Sequence, residues 1–137
     1  MSLLFTDTVL VVEPDPVTRE TYRRALSGAG FRVNAVEDGA AAVAFLEQYR
    51  PAAVVGPRHL TGIDLLQDLR ARQNTKDVPA IVIVASDAVV APTPFDTFIR
   101  KPVRVEQLVA AVEAALSRST TSRYTRFYDE DAEEDEV

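Results

Sequence analysis

The sequence predicts an α/β fold, a mostly parallel sheet with helices packed on it. Two observations carry that prediction. Short apolar runs alternate with amphipathic stretches along the chain. Several of the runs are continuous rather than alternating, as strands covered on both faces are.

Val9-Leu10-Val11-Val12 is the first such run, a β-branched strand signal. Asp15 then offers an N-cap oxygen, and Pro16 suits the first helical position, where a missing N–H costs nothing. Val17, Tyr22, Ala25, Leu26 and Ala29 set an apolar stripe on that helix, and Gly28 and Gly30 end it. Phe31 to Val36 reads as a second strand. Asp38-Gly39 opens a second helix, with Val43, Leu46, Phe45 and Tyr49 facing inward and Pro51 as its stop.

Ala52 to Gly56 is the third strand, weak in β propensity but apolar. A helix spans Ile63 to Arg72, with Leu66 and Leu69 as core contacts. Pro79 to Ala85 is the clearest central strand, and Phe95 to Arg100 is a short fifth one. Val105, Leu108, Val109, Val112 and Leu116 follow helical spacing and define the last helix. Between the last two strands, Ser86 to Pro94 carries two prolines in nine residues, so the helix due there is shortened or missing.

Composition narrows the function. A length of 137 residues with 47% apolar content fits one domain with its own core. The chain has no cysteine, which removes thiolate metal sites, disulfides and cysteine nucleophiles and fits a reducing cytoplasm. No apolar run approaches the roughly 20 residues that span a bilayer, and a signal-peptide pattern is lacking. A cytoplasmic protein without a membrane segment is expected.

The net charge of -6 belongs to one end. Seven of the 21 acids lie between Asp129 and Glu136, leaving 14 against 15 lysines and arginines. The body is near neutral and offers no electrostatic footprint for nucleic acid. The expected organisation is a domain over 1–118 and an acidic tail over 119–137.

Several segments together resemble the response-regulator receiver family of bacterial two-component signalling, over residues 8 to 118. VLVVEPDP ends the first strand, EDGAAAVAFLEQYRPAAVV leads into the third, and TGIDLLQDLR follows it. DVPAIVIVAS matches the family's fourth strand, and FIRKP precedes the last helix. The resemblance implies a flavodoxin-like doubly wound sheet of five parallel strands in the order 2-1-3-4-5. Such sheets bind ligands at the carboxyl ends of their strands, where the strand order reverses.

The departures fall at those ends. The family's adjacent acids at the first strand, which help hold magnesium, are matched by Glu13 and Pro14, with Asp15 one place late. Its phosphoacceptor aspartate corresponds to Pro57, and its fourth-strand hydroxyl residue to Val84, with Ser86 two places on. Lys101, before Pro102, matches the family lysine, and Phe98 its aromatic switch position. Proline can be neither nucleophile nor metal ligand, and acyl-phosphate chemistry needs a carboxylate. The resemblance therefore implies a pseudo-receiver with a degenerate pocket of Glu13, Pro14, Asp15, Pro57, Val84 and Lys101, without catalytic residue, metal or cofactor.

Each residue also has a structural role to weigh. Lys101 is expected to pair with Glu13 or Asp15, and Phe98 to serve as core. The lone His59 lacks metal partners, and Asp64 fits a helix start favoured by the helix dipole. Thr61 and Ser86 have no histidine base near in sequence, and Arg19, Arg23 and Arg24 read as a solvated helix face.

The function expected is a phosphorylation-independent interaction module, contacting a signalling protein or a second copy as a homodimer. The contact face is the fifth strand and last helix, through Phe95, Phe98, Arg100 and Arg104. The acidic tail could fold back on Arg100, Lys101 and Arg104. Two alternatives stand beside it: a receiver phosphorylated at a shifted acid, Asp15 or Asp64, and an unrelated small ligand-binding protein on the same fold.

Overall fold

In the computed structural model, which describes residues 4–5, 7–90 and 96–117, a parallel sheet takes the chain's five longest strands. They are β1 (Thr8–Val12), β2 (Arg32–Val36), β3 (Ala53–Pro57), β4 (Ala80–Val84) and β5 (Asp96–Arg100). Their order is β2-β1-β3-β4-β5, the doubly wound arrangement expected from the sequence. Each strand falls within a residue of its predicted bounds. Four helices cover the sheet: α1 (Pro16–Gly28), α2 (Gly39–Leu46), α3 (Leu65–Ala71) and α4 (105–117).

The continuous run in β1 explains how the layers form. Val9 and Val11 enter one core with Tyr22, Leu26, Leu108 and Val112, under α1 and α4. Leu10 and Val12 enter the other with Ala42, Leu46, Leu66 and Leu69, under α2 and α3. Val9, Leu10, Val11 and Val12 are all fully buried, each worth roughly 1.5–3 kcal/mol of apolar transfer.

Local chemistry sets the helix ends. Asp15 caps α1 by accepting from the Thr18 N–H, with Pro16 following as expected. Gly30, at φ +99°, lets the chain leave α1 while the Phe31 N–H bonds the Leu26 carbonyl. Asp38 caps α2, and Gly39 sits so close under Ile63 that a Cβ there would lie 2.2 Å from its Cγ2.

Three details depart from expectation. First, α2 stops at Leu46; Tyr49–Arg50 instead runs parallel to Leu4–Phe5, and Tyr49 stacks on Phe45 at 5.1 Å. Second, α3 starts two residues late, because Ile63–Asp64 pairs with His59–Leu60 in a small antiparallel ladder and Asp64 becomes the N-cap. Third, the arginines of α1 are not simply solvated. Arg23 and Arg24 both bind Glu20, and Arg19 donates to the carbonyls of Glu13 and Pro14.

Between β4 and β5, residues 85–90 form a turn and extended chain, and no helix lies there among the described residues. No described helix is long and apolar enough to cross a membrane. Phe95 and the acidic tail lie outside the described residues.

Candidate functional site

The carboxyl ends of the strands converge as a doubly wound sheet requires. The Glu13 N–H bonds the Val36 carbonyl at 3.0 Å, so β1 ends level with β2. Pro57 is the last residue of β3 and stands in register with Ile83. Val84 ends β4 opposite Arg100, and the Lys101 N–H bonds the Val84 carbonyl at 2.9 Å. All six residues of the predicted pocket therefore lie at one edge of the sheet.

The structure divides five of the six between two clefts, and Pro14 lines neither. Glu13, Asp15 and Lys101 line one of about 700 Å³, together with Thr18, Tyr22 and Ser86. Pro57, Val84 and Phe98 line a second of about 720 Å³, beside Leu66, Arg58 and Val89. The first cleft mixes polar and apolar side chains and lies against α1. The second is largely apolar and lies on the α3 side.

Each acid near the first cleft is already engaged. The Asp15 carboxylate accepts from the Thr18 N–H at 2.8 Å and its hydroxyl at 2.7 Å. These bonds hold the Asp15 carboxyl below its ordinary range, the backbone N–H most of all. Glu13 accepts from the Asp15 N–H at 3.0 Å. Tyr22, only 6% exposed, has its phenol pushed upward by burial and then by the nearby Glu13 charge.

The ion pair expected of Lys101 does not form with either Glu13 or Asp15, and its side chain is exposed. The physical reason is competition: Asp15 is committed to Thr18 within its own turn, at far lower entropic cost than a long lysine would need.

Asp64 serves α3 rather than a reaction. It accepts from the Gln67 N–H at 3.0 Å and faces the Arg58 guanidinium at 3.2 Å. Burial raises its carboxyl, but the Gln67 N–H and Arg58 outweigh that and hold it low. His59 is exposed, with Nδ1 3.8 Å from the same carboxylate.

Phe98 is half-buried and packs with Val84 against the α2–α3 core, the core role expected for it, while also walling the second cleft. Arg100 donates to the carbonyls of Ser86, at 3.3 Å, and Ala88, which fastens the 85–90 turn beside that cleft. Arg104 is exposed at the start of α4.

Sequence reasoning missed the second cleft as a cleft. The signal was present in the proline-rich stretch after β4: no described helix covers that part of the sheet, and Val89 is 98% exposed. It also missed Tyr22 as a cleft residue, because a tyrosine on an apolar stripe reads simply as core.

A family model for the response regulator receiver domain matches residues 9–113. The response regulator MprA of Mycolicibacterium vanbaalenii is 35% identical over 121 residues, which cover 82% of this chain and 51% of that protein. The chain thus spans about half the length of the curated relatives it matches. A putative response regulator from Chloroflexus aurantiacus superposes with a TM-score of 0.72 at 27% identity, covering 81% of this chain and 98% of that one. The receiver domain of a sensor histidine kinase from Pseudomonas aeruginosa, solved with magnesium coordinated in its active-site cleft, gives a TM-score of 0.69 at 25% identity. It covers 81% of this chain and 98% of its own.

Proposed function

The chain belongs to the response regulator receiver family of two-component signalling, and from that premise we propose that it signals by protein contact, independently of phosphorylation. The observation that carries this reading is Pro57, the last residue of the central strand β3. Its ring supplies no nucleophile at the strand end where the family resemblance sets the phosphoacceptor carboxylate.

The neighbouring groups support the same conclusion. Pro14 supplies no oxygen ligand from its side chain, and Asp15 is tied to Thr18 as a helix cap. Magnesium takes hard oxygen ligands in near-octahedral geometry. Glu13 as the one remaining strand-end carboxylate does not fit that ion. Asp15 and Asp64, the two shifted acids that could stand in as acceptors, both cap helices.

The contact face consists of the β5 edge and the start of α4, with Phe98, Arg100 and Arg104. Its partner is a signalling protein such as a kinase, or a second copy of the chain, in the cytoplasm. The near-neutral body argues against nucleic acid as the partner.

Incubation with acetyl phosphate and magnesium, followed by intact-mass analysis, tests the reading. An unchanged mass is expected. A labile adduct of one phosphoryl group would overturn it.

A further inference from the structure

The cleft of about 720 Å³ is an apolar groove between α3, the end of β4 and β5. Leu66, Ile83, Val84 and Phe98 wall it, with Arg58 and His59 at its rim. No described helix covers this part of the sheet, and β5 is the sheet's last strand. Arg58 is already paired with Asp64. At the carboxyl end of β5 the balance differs. Among the described residues, Arg100, Lys101 and Arg104 have no carboxylate in ion-pair range. Arg100 is also fastened to the turn that forms the groove wall.

Residues 118–137 carry the complement of both features. Tyr124, Phe127 and Tyr128 come first, and the seven acids from Asp129 to Glu136 follow directly. We propose that this segment docks on its own domain along the β5 edge, with the aromatic side chains in the groove and the acids against Arg100, Lys101 and Arg104.

Order and reach agree with that placement. After β5 ends at Arg100, α4 must run back toward the amino ends of the strands to pack on the sheet. Its 13 residues span about 20 Å. A segment leaving residue 117 and returning along β5 meets the groove first and the three cations second. The chain presents its aromatics and acids in that same order. Seven residues lead from 117 to Tyr124, a reach of up to roughly 23 Å, and twelve lead to Asp129, up to roughly 40 Å. Both suffice to cross the sheet edge and run its length. The docking would cover Phe98 and Arg100, and it does not depend on whether the domain is phosphorylated.

The absence of cysteine makes the test direct. In the full chain, Ala132→Cys carries one spin label, and amide signals of the isotope-enriched protein are read. Signal loss at residues 85–90 and 100–104, with α1 and β2 unaffected, is expected. Adding Phe127→Ala should restore those signals. Absence of loss at these positions, loss centred on α1 or α2, or loss unchanged by Phe127→Ala would overturn the proposal. So would equal loss in a mixture of labelled unenriched chain with unlabelled enriched chain, which would assign the segment to a second copy.

Discussion

The guanidinium of Arg70, on α3, reaches the carboxylate of Asp96 at the start of β5. Its other arm donates to the carbonyls of Lys76 at 3.0 Å and Val78 at 2.8 Å. One side chain thus joins the helix, the loop before β4 and the edge strand. The Asp96 side chain is only 3% exposed and that of Arg70 23%. Removing one partner of such a pair leaves the other charge poorly solvated. Asp96→Ala is expected to cost about 3 kcal/mol, read as a lowered urea midpoint at unchanged slope.

Gly56 lies on β3 beside Val12 of β1. A Cβ there would stand 2.8 Å from the Val12 carbonyl oxygen and 3.2 Å from the Val12 Cβ. Both obstacles belong to a buried strand and cannot swing aside. Gly56→Ala should destabilise the domain by about 2 kcal/mol through overpacking, measured by thermal or urea unfolding.

Thr75 is the one fully buried polar side chain among the described residues, and its hydroxyl donates to the Leu69 carbonyl at 2.9 Å. That carbonyl, in the last turn of α3, also accepts from the Arg72 N–H at 3.3 Å, so the hydroxyl adds a second donor at the helix end. Thr75→Val keeps the shape and removes the donor. A loss of about 1 kcal/mol is expected, with faster amide exchange in the 69–75 segment.

Tyr22 makes the alkaline limb of stability informative. Its phenol titrates above the ordinary 10.0 in the folded state, through burial and then the Glu13 charge. Folding therefore favours the protonated form. This contribution is complete below pH 10 and declines as pH rises through the higher folded value. Urea titrations across that range should show stability falling with pH, and Tyr22→Phe should flatten the fall.

Glu20 acts in the opposite direction. Hydrogen bonds from Arg23 and then Arg24 hold its carboxyl down to about 2, from 4.5. What it contributes to α1 is present above pH 4.5 and is lost as pH falls toward 2. A carboxyl titration followed by NMR should give the low value, and Arg23→Ala should raise it. Because the group is solvent-exposed, the effect on overall stability is expected to be small and salt-sensitive.

What the sequence determined by itself is the local structure and the residue types that stand at the strand ends. Apolar runs located all five sheet strands, and Asp15-Pro16 and Asp38 marked helix starts, because those signals act between near neighbours. Pro14 and Pro57 are read directly at strand ends, and a proline's lack of a carboxylate needs no structure to establish. The tertiary structure decided which distant groups meet. Strand register and helix packing divided the strand-end residues between two clefts, left Lys101 without the partner expected for it, and joined Arg70 to Asp96 across 26 positions. Such contacts depend on the summed packing of the whole sheet, and no local pattern encodes them.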